Sequence, residues 1–261
     1  MTLDRGFPLL AAVGCALILV ALPSFARAEL LEVGVEWINV CHPCGNADLG
    51  GRDDCAMRFY NKLVSHGAIG RFHWGNAAAW EQDFKYASAP GGGTDNYWVD
   101  TVDVVMHADH GGPGIFGFGE DNHDTCILWS SRARWGDQDL EWMILDDCSC
   151  LYNGDGDAFN RWRDAFQGLH LILSFYTGAH DTSTRGDKLA TKLLDGWRFT
   201  TAWRYACEQT EGGSTRGAVM GVGMSGGDWS FNDHLWGHGS VSPDMPPASG
   251  RYLWLWNFPC D

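Results

Sequence analysis

LEWMILDDCSCLY, residues 140–152, is the stretch on which the fold turns. Glu141 to Leu145 has the length and apolar content of a strand covered on both faces. It does not end in a turn of Gly, Asn or Pro. It ends on two carboxylates, a thiol, a serine and a second thiol. Packing gives no reason for a buried strand to finish this way, so its tip is a candidate for chemistry.

A second strand has the same character. Val102 to Met106 (VDVVM) is short and apolar and runs into His107-Ala108-Asp109-His110-Gly111-Gly112-Pro113-Gly114. Around these two lie further candidate strands at 31–40, 70–74, 169–176, 217–224 and 251–258. Helical spacing marks 53–66, 77–86, 160–167, 185–194 and 199–209. Asp53 or Asp54 is the expected cap of the first helix, and 115–136 reads as hairpin or loop. Strands alternating with helices predict an α/β domain with a mainly parallel sheet. In such sheets the reactive groups gather at the carboxyl ends of the strands.

Residues 1–28 have the layout of a secretory signal peptide. An apolar run from Leu9 to Leu22 is followed by Ala26-Arg27-Ala28, a small-x-small cleavage site. The expected mature chain is a single domain, 29–261, with no remaining membrane anchor, in a secreted or periplasmic location. Losing Asp4, Arg5 and Arg27 moves the net charge from −15 to −16. That field repels phosphates and argues against nucleic acid as a partner. Eight cysteines remain after Cys15 is removed. An even number in an exported chain predicts disulfides, with Cys126 or Cys207 as possible partners of Cys148. Cys41-x-x-Cys44 is at most half of a zinc site, because no second pair matches it.

A thiol on one tip and an imidazole on the neighbouring one supply a nucleophile and a general base. Cys148 and His110 are therefore the candidate catalytic pair, with a peptide or protein as the expected substrate. The backbone N–H of Gly111 is a candidate oxyanion donor, joined by that of Cys148. Cys150 is a rival thiol, Asp147 a neighbouring carboxylate that opposes thiolate formation or selects a basic side chain, and His107 an alternate base. No cofactor is expected. The run Asn153 to Asp157 resembles a calcium loop in composition but lacks the closing Glu.

The order strand, His-Gly, hairpin, strand, Cys, helix, strand resembles the caspase-like cysteine peptidase group, which includes gingipains, clostripain, separase and CHAT-domain proteins. In that group one core strand ends in His-Gly, and the next ends in a small or acidic residue followed by the catalytic Cys. VDVVMHADHG and LEWMILDDCSC take those places here. The resemblance implies a caspase-like three-layer sandwich and dyad roles for His110 and Cys148. The chain is also similar to an uncharacterised bacterial family, DUF6345. The resembling segments are VGVEWINV, FHWGNAAAWEQDFK, DVVMHADHG, DLEWMILDDCSCL and AFQGLHLILSFYTGAHDT.

Two other functions compete. HADH matches half of the metallo-β-lactamase pattern H-x-H-x-D-H, with Val105 where the first histidine belongs and His123, His180, His234 and His238 as reserve ligands. Alternatively, the chain is a disulfide-stapled exported scaffold without catalysis, as some caspase-like relatives are.

Overall fold

The computed structural model describes residues 30–119, 125–224, 229–245, 247 and 251–261. The expected signal peptide and His123 lie outside them. The strands are β1 (Glu32–Trp37), β2 (Ile69–Gly75), β3 (Val104–Ala108), β4 (Gly111–Gly112), β5 (Ile115–Gly117), β6 (Ile127–Trp129), β7 (Trp142–Leu145), β8 (Leu171–Phe175), β9 (Arg216–Met224) and β10 (Arg251–Pro259). The helices are α1 (Arg52–Ser65), α2 (Ala158–Trp162), α3 (Arg185–Leu194) and α4 (Phe199–Glu208).

Seven strands form the central sheet in the order β10-β9-β8-β7-β3-β1-β2. β2, β1, β3, β7 and β8 are parallel; β9 and β10 close one edge antiparallel. Every residue of β3, β7 and β8 is buried. This explains their mainly apolar composition, since a strand covered on both faces has no solvent side to mark with polar residues.

Alternation along these strands feeds two cores. Val104, Met106, Trp142 and Ile144 pack with Phe59, Leu63, Leu189, Ala202 and Trp203, from α1, α3 and α4. Val105, Met143 and Leu145 face the opposite way, onto Phe84, Phe116, Phe118, Trp135 and Trp162. The second face is covered mainly by 3-10 turns, the small antiparallel sheet β4-β5-β6 and the short α2.

Residues 77–86, expected as a helix or helical turn, form 3-10 turns at Asn76–Ala78 and Glu81–Phe84. The buried Lys85–Glu81 ion pair, at 2.9 Å, pins the second of these. The helix expected over 160–167 stops at Trp162, because Phe166 pairs with Trp135 and Gln167 N–H bonds the Trp135 carbonyl at 2.9 Å. Neither Asp53 nor Asp54 caps α1. Its N-cap is Gly51, and its free N–H groups are met from a distance: Asn39 Oδ1 accepts from Asp53 N–H at 3.2 Å and Asp181 from Gly51 N–H at 3.1 Å.

One disulfide joins Cys44 to Cys126. It removes Cys126 as a partner for Cys148 and Cys44 as a zinc ligand. Cys41, Cys55, Cys148, Cys150, Cys207 and Cys260 are free thiols. Among the described residues no helix is long and apolar enough to cross a membrane.

Candidate functional site at the strand tips

The chain lays β2 on one side of β1 and β3 on the other. The direction of winding therefore reverses between β1 and β3, and crevices in such sheets open there, at the carboxyl ends. The tips of β1, β3 and β7 meet at this point.

A buried polar chain links the three tips. Asp147 Oδ2 lies 3.1 Å from His107 Nδ1, and Asp147 Oδ1 accepts from Asp109 N–H at 2.5 Å. The Cys41 thiol donates to Asp109 Oδ1 at 3.2 Å. All four side chains are essentially excluded from water. His107 sits among Phe84, Phe116 and Phe118, with ring centroids 5.3, 4.7 and 5.0 Å away. It is a core histidine oriented by Asp147. Burial pushes the Asp109 carboxyl up to about 6, with Asp147 adding to the rise and His107 opposing it. Burial, then the charge of Asp109, pushes the Cys41 thiol up.

His110, half-buried, leaves this chain and turns toward the loop after β1, where its Nε2 lies 2.7 Å from the Ala47 carbonyl. Gly111 follows because nothing larger fits. A Cβ there would stand 2.7 Å from the Cys148 carbonyl, 2.8 Å from Asp147 Cβ and 2.8 Å from Cys150 Sγ. The glycine presses the β3 tip against the β7 tip.

The β7 tip divides its side chains. Asp146 is fully buried and ion-paired to Arg185 and to Arg52, the latter at 3.1 Å. Burial alone would raise its pKa, but Arg185 and Arg52 together hold it below the usual carboxylate value. Arg185 also pairs with Glu211, which accepts from His180. Asp146 and Asp147, the latter expected as a selector of basic side chains, are both fully buried and engaged within the protein.

Cys148 points to the β8 side. Its Sγ accepts from Ala179 N–H at 3.2 Å. Among the described free thiols it is the only one not fully buried. Burial raises its pKa, as do Asp147 and Asp146, while the Ala179 N–H and Arg52 act the other way. The next residue, Ser149, has φ 57°, in the left-handed region that a residue with a side chain seldom occupies. Across this kink the two thiols take different partners. Cys150 turns inward, donates to the Ile115 carbonyl at 3.2 Å and is fully buried; burial raises its pKa strongly.

The structure thus brings Gly111, Asp147, Cys148 and Cys150 into one contact region and joins His107 to Asp147. Among the described residues no hydrogen bond links His110 to Cys148. The ligand atoms of Cys41, Asp109 and His110 lie within 4.8 Å of one another, a mixed S/O/N set able to hold a zinc-type ion. His107 of the HADH run belongs to a different grouping, His180 pairs with Glu211, and His234 Nδ1 lies 3.1 Å from the Ser240 carbonyl. Asp155, in the calcium-like loop, is paired with Arg161 at 2.8 Å.

Sequence reasoning missed the Arg52–Asp146–Arg185–Glu211 network beneath the site. A signal existed: both arginines are the first residue of a helix, where the macrodipole disfavours a cation. No curated protein matches the chain. The model of a family described as a domain of unknown function, DUF6345, matches residues 35–258, nearly all of the described domain, and the chain belongs to that family.

Proposed function

We propose that the protein is a cysteine-dependent hydrolase of peptide bonds built on a caspase-like three-layer frame. Cys148 is the nucleophile, His110 the general acid–base, and the N–H groups of Gly111 and Cys148 the oxyanion donors. One observation carries this reading. The only described free thiol that is not fully buried stands on a left-handed kink at the carboxyl end of β7, against the β3 tip that bears His110.

The resting thiol is protonated, since its pKa is raised. Reaction requires its proton to pass to His110 once a substrate draws the two tips together, and catalytic hydrogen bonds often tighten only in the complex. His110 Nε2 then exchanges the Ala47 carbonyl for the reacting groups. The substrate carbonyl carbon bonds to sulfur and the leaving amine takes the proton from His110. Water then hydrolyses the thioester. The location consistent with this chemistry is outside the cytoplasm, where the Cys44–Cys126 bond persists.

The test is cysteine alkylation mapped by mass spectrometry, followed by hydrolysis of a mixed fluorogenic peptide library. Cys148 is expected to be modified ahead of the other thiols, with a pH profile that moves in His110→Gln. Peptide hydrolysis is expected to vanish in Cys148→Ala. Labelling of Cys148 no faster than of the buried thiols, or no hydrolysis by the unmodified protein, would discard the dyad and leave the non-catalytic scaffold.

A further inference from the structure

The opposite end of the sheet carries a second concentration of ionisable groups. Asp103 precedes β3, and Asp139 and Glu141 precede β7. One carboxylate oxygen from each lies within 4.8 Å of the other two. They are held there by the backbone: Glu141 N–H bonds the Asp103 carbonyl at 3.1 Å, and Asp139 N–H bonds that of Asp100 at 3.1 Å.

Acidic side chains often crowd without purpose, but Glu141 differs. It is 9% exposed, and its Oε2 is buried with no hydrogen-bond partner. Such an atom loses its hydration without compensation. Glu141 and Asp139 line a cleft of about 220 Å³ together with Gln138, Asp244 and Trp236. The cleft has room for several waters beside an ion.

We infer that this cleft is a calcium site, with Asp103, Asp139 and Glu141 as its protein ligands and Asp244 and waters completing the shell. The donors are all oxygen, which selects a hard cation over zinc or copper. Calcium–oxygen bonds are about 2.3–2.6 Å, so two donors of one ion stand at most about 4.6–5.2 Å apart, and three oxygens within 4.8 Å of one another fall inside that reach. The irregular, open surroundings suit calcium better than the strict octahedron of magnesium. The ion would sit across the amino ends of β3 and β7 and neutralise carboxylates that otherwise repel. This inference does not rest on the thiol chemistry at the other end of the sheet.

The experiment uses the full chain with terbium as a luminescent calcium mimic, excited through tryptophan, with Trp236 at the cleft as the donor. Terbium emission is expected to appear on binding and to be displaced by calcium. Calcium is also expected to raise the Tm over that in a chelator. Glu141→Gln removes one of three charged ligands, so calcium affinity is expected to fall by about tenfold or more. The calcium-free Tm of this variant should stay equal to the unmodified protein's or exceed it, because a stranded carboxylate has gone. Asp139→Asn, at a partly exposed position, gives a second reading of the same loss. Absence of calcium-displaceable emission, or undiminished calcium affinity in both folded variants, overturns the site.

Discussion

Replacing Arg185 by Met tests what holds the β7 tip in place. Arg185 is fully buried. It pairs with Asp146 and Glu211, donates to Thr210 Oγ1 at 3.0 Å, and lies 4.7 Å over the Phe175 ring. Removing one partner from a buried ion pair costs about 3–5 kcal/mol, since the charge left behind stays dry. Two features blunt the loss: Asp146 keeps Arg52 at 3.1 Å, and Glu211 keeps His180 at 2.7 Å. The lost contact with the Phe175 face adds about 0.5–2 kcal/mol. The expected destabilisation at pH 7 is therefore about 4 kcal/mol, read as a fall in the urea midpoint at constant slope. The pH dependence has a definite sign. The folded pKa of Asp146 is depressed, so its contribution is complete above the unfolded value near 4 and disappears as pH falls through the folded value. In the variant that depression shrinks. The gap between the two proteins should be widest at neutral pH and narrow below about pH 4. A gap under about 1 kcal/mol at pH 7, or one that stays constant down to pH 3, would refute the assignment of this network as the anchor.

Two further outcomes concern the cysteines. Reducing Cys44–Cys126, which spans 82 positions, is expected to lower stability by roughly 3–4.5 kcal/mol from loop entropy, measured by urea unfolding with and without reductant; equal midpoints would count against the bond. The Cys207 and Cys260 thiols are both buried; Cys207 lowers the Cys260 pKa, whereas burial raises that of Cys207. A mild oxidant should therefore join them through attack by Cys260, seen as a cross-linked peptide in a non-reducing digest; finding Cys207 free beside an oxidised Cys260 would exclude it.

The two central strands were legible because burial on both faces demands apolar residues throughout, and VVM and WMIL have them. The carboxyl-end position of His110 and Cys148 followed from the same strands. Where their side chains point was not legible. That direction is set by the carbonyl of Ala47 and the backbone of Ala179, contacts remote in sequence and free of any motif. The antiparallel edge also escaped notice, because β9 and β10 carry no marker of direction. The Cys44–Cys126 pairing was hidden by the many pairings that eight cysteines permit. The helix starting at Arg52 was found, but its first-turn partners were assigned locally to Asp53 and Asp54 when Asn39 and Asp181 supply them.

The perch of His110 has a consequence for the history of the molecule. Ala47, whose carbonyl receives the imidazole, lies three positions beyond Cys44, and Cys44 is bolted to Cys126 just ahead of β6. Closing that bond therefore shortens the slack in the segment that carries the perch. A newly made chain in a reducing compartment has the strands and the thiols but lacks this brace. The redox state of the Cys44–Cys126 bond is therefore expected to bear on where the imidazole rests.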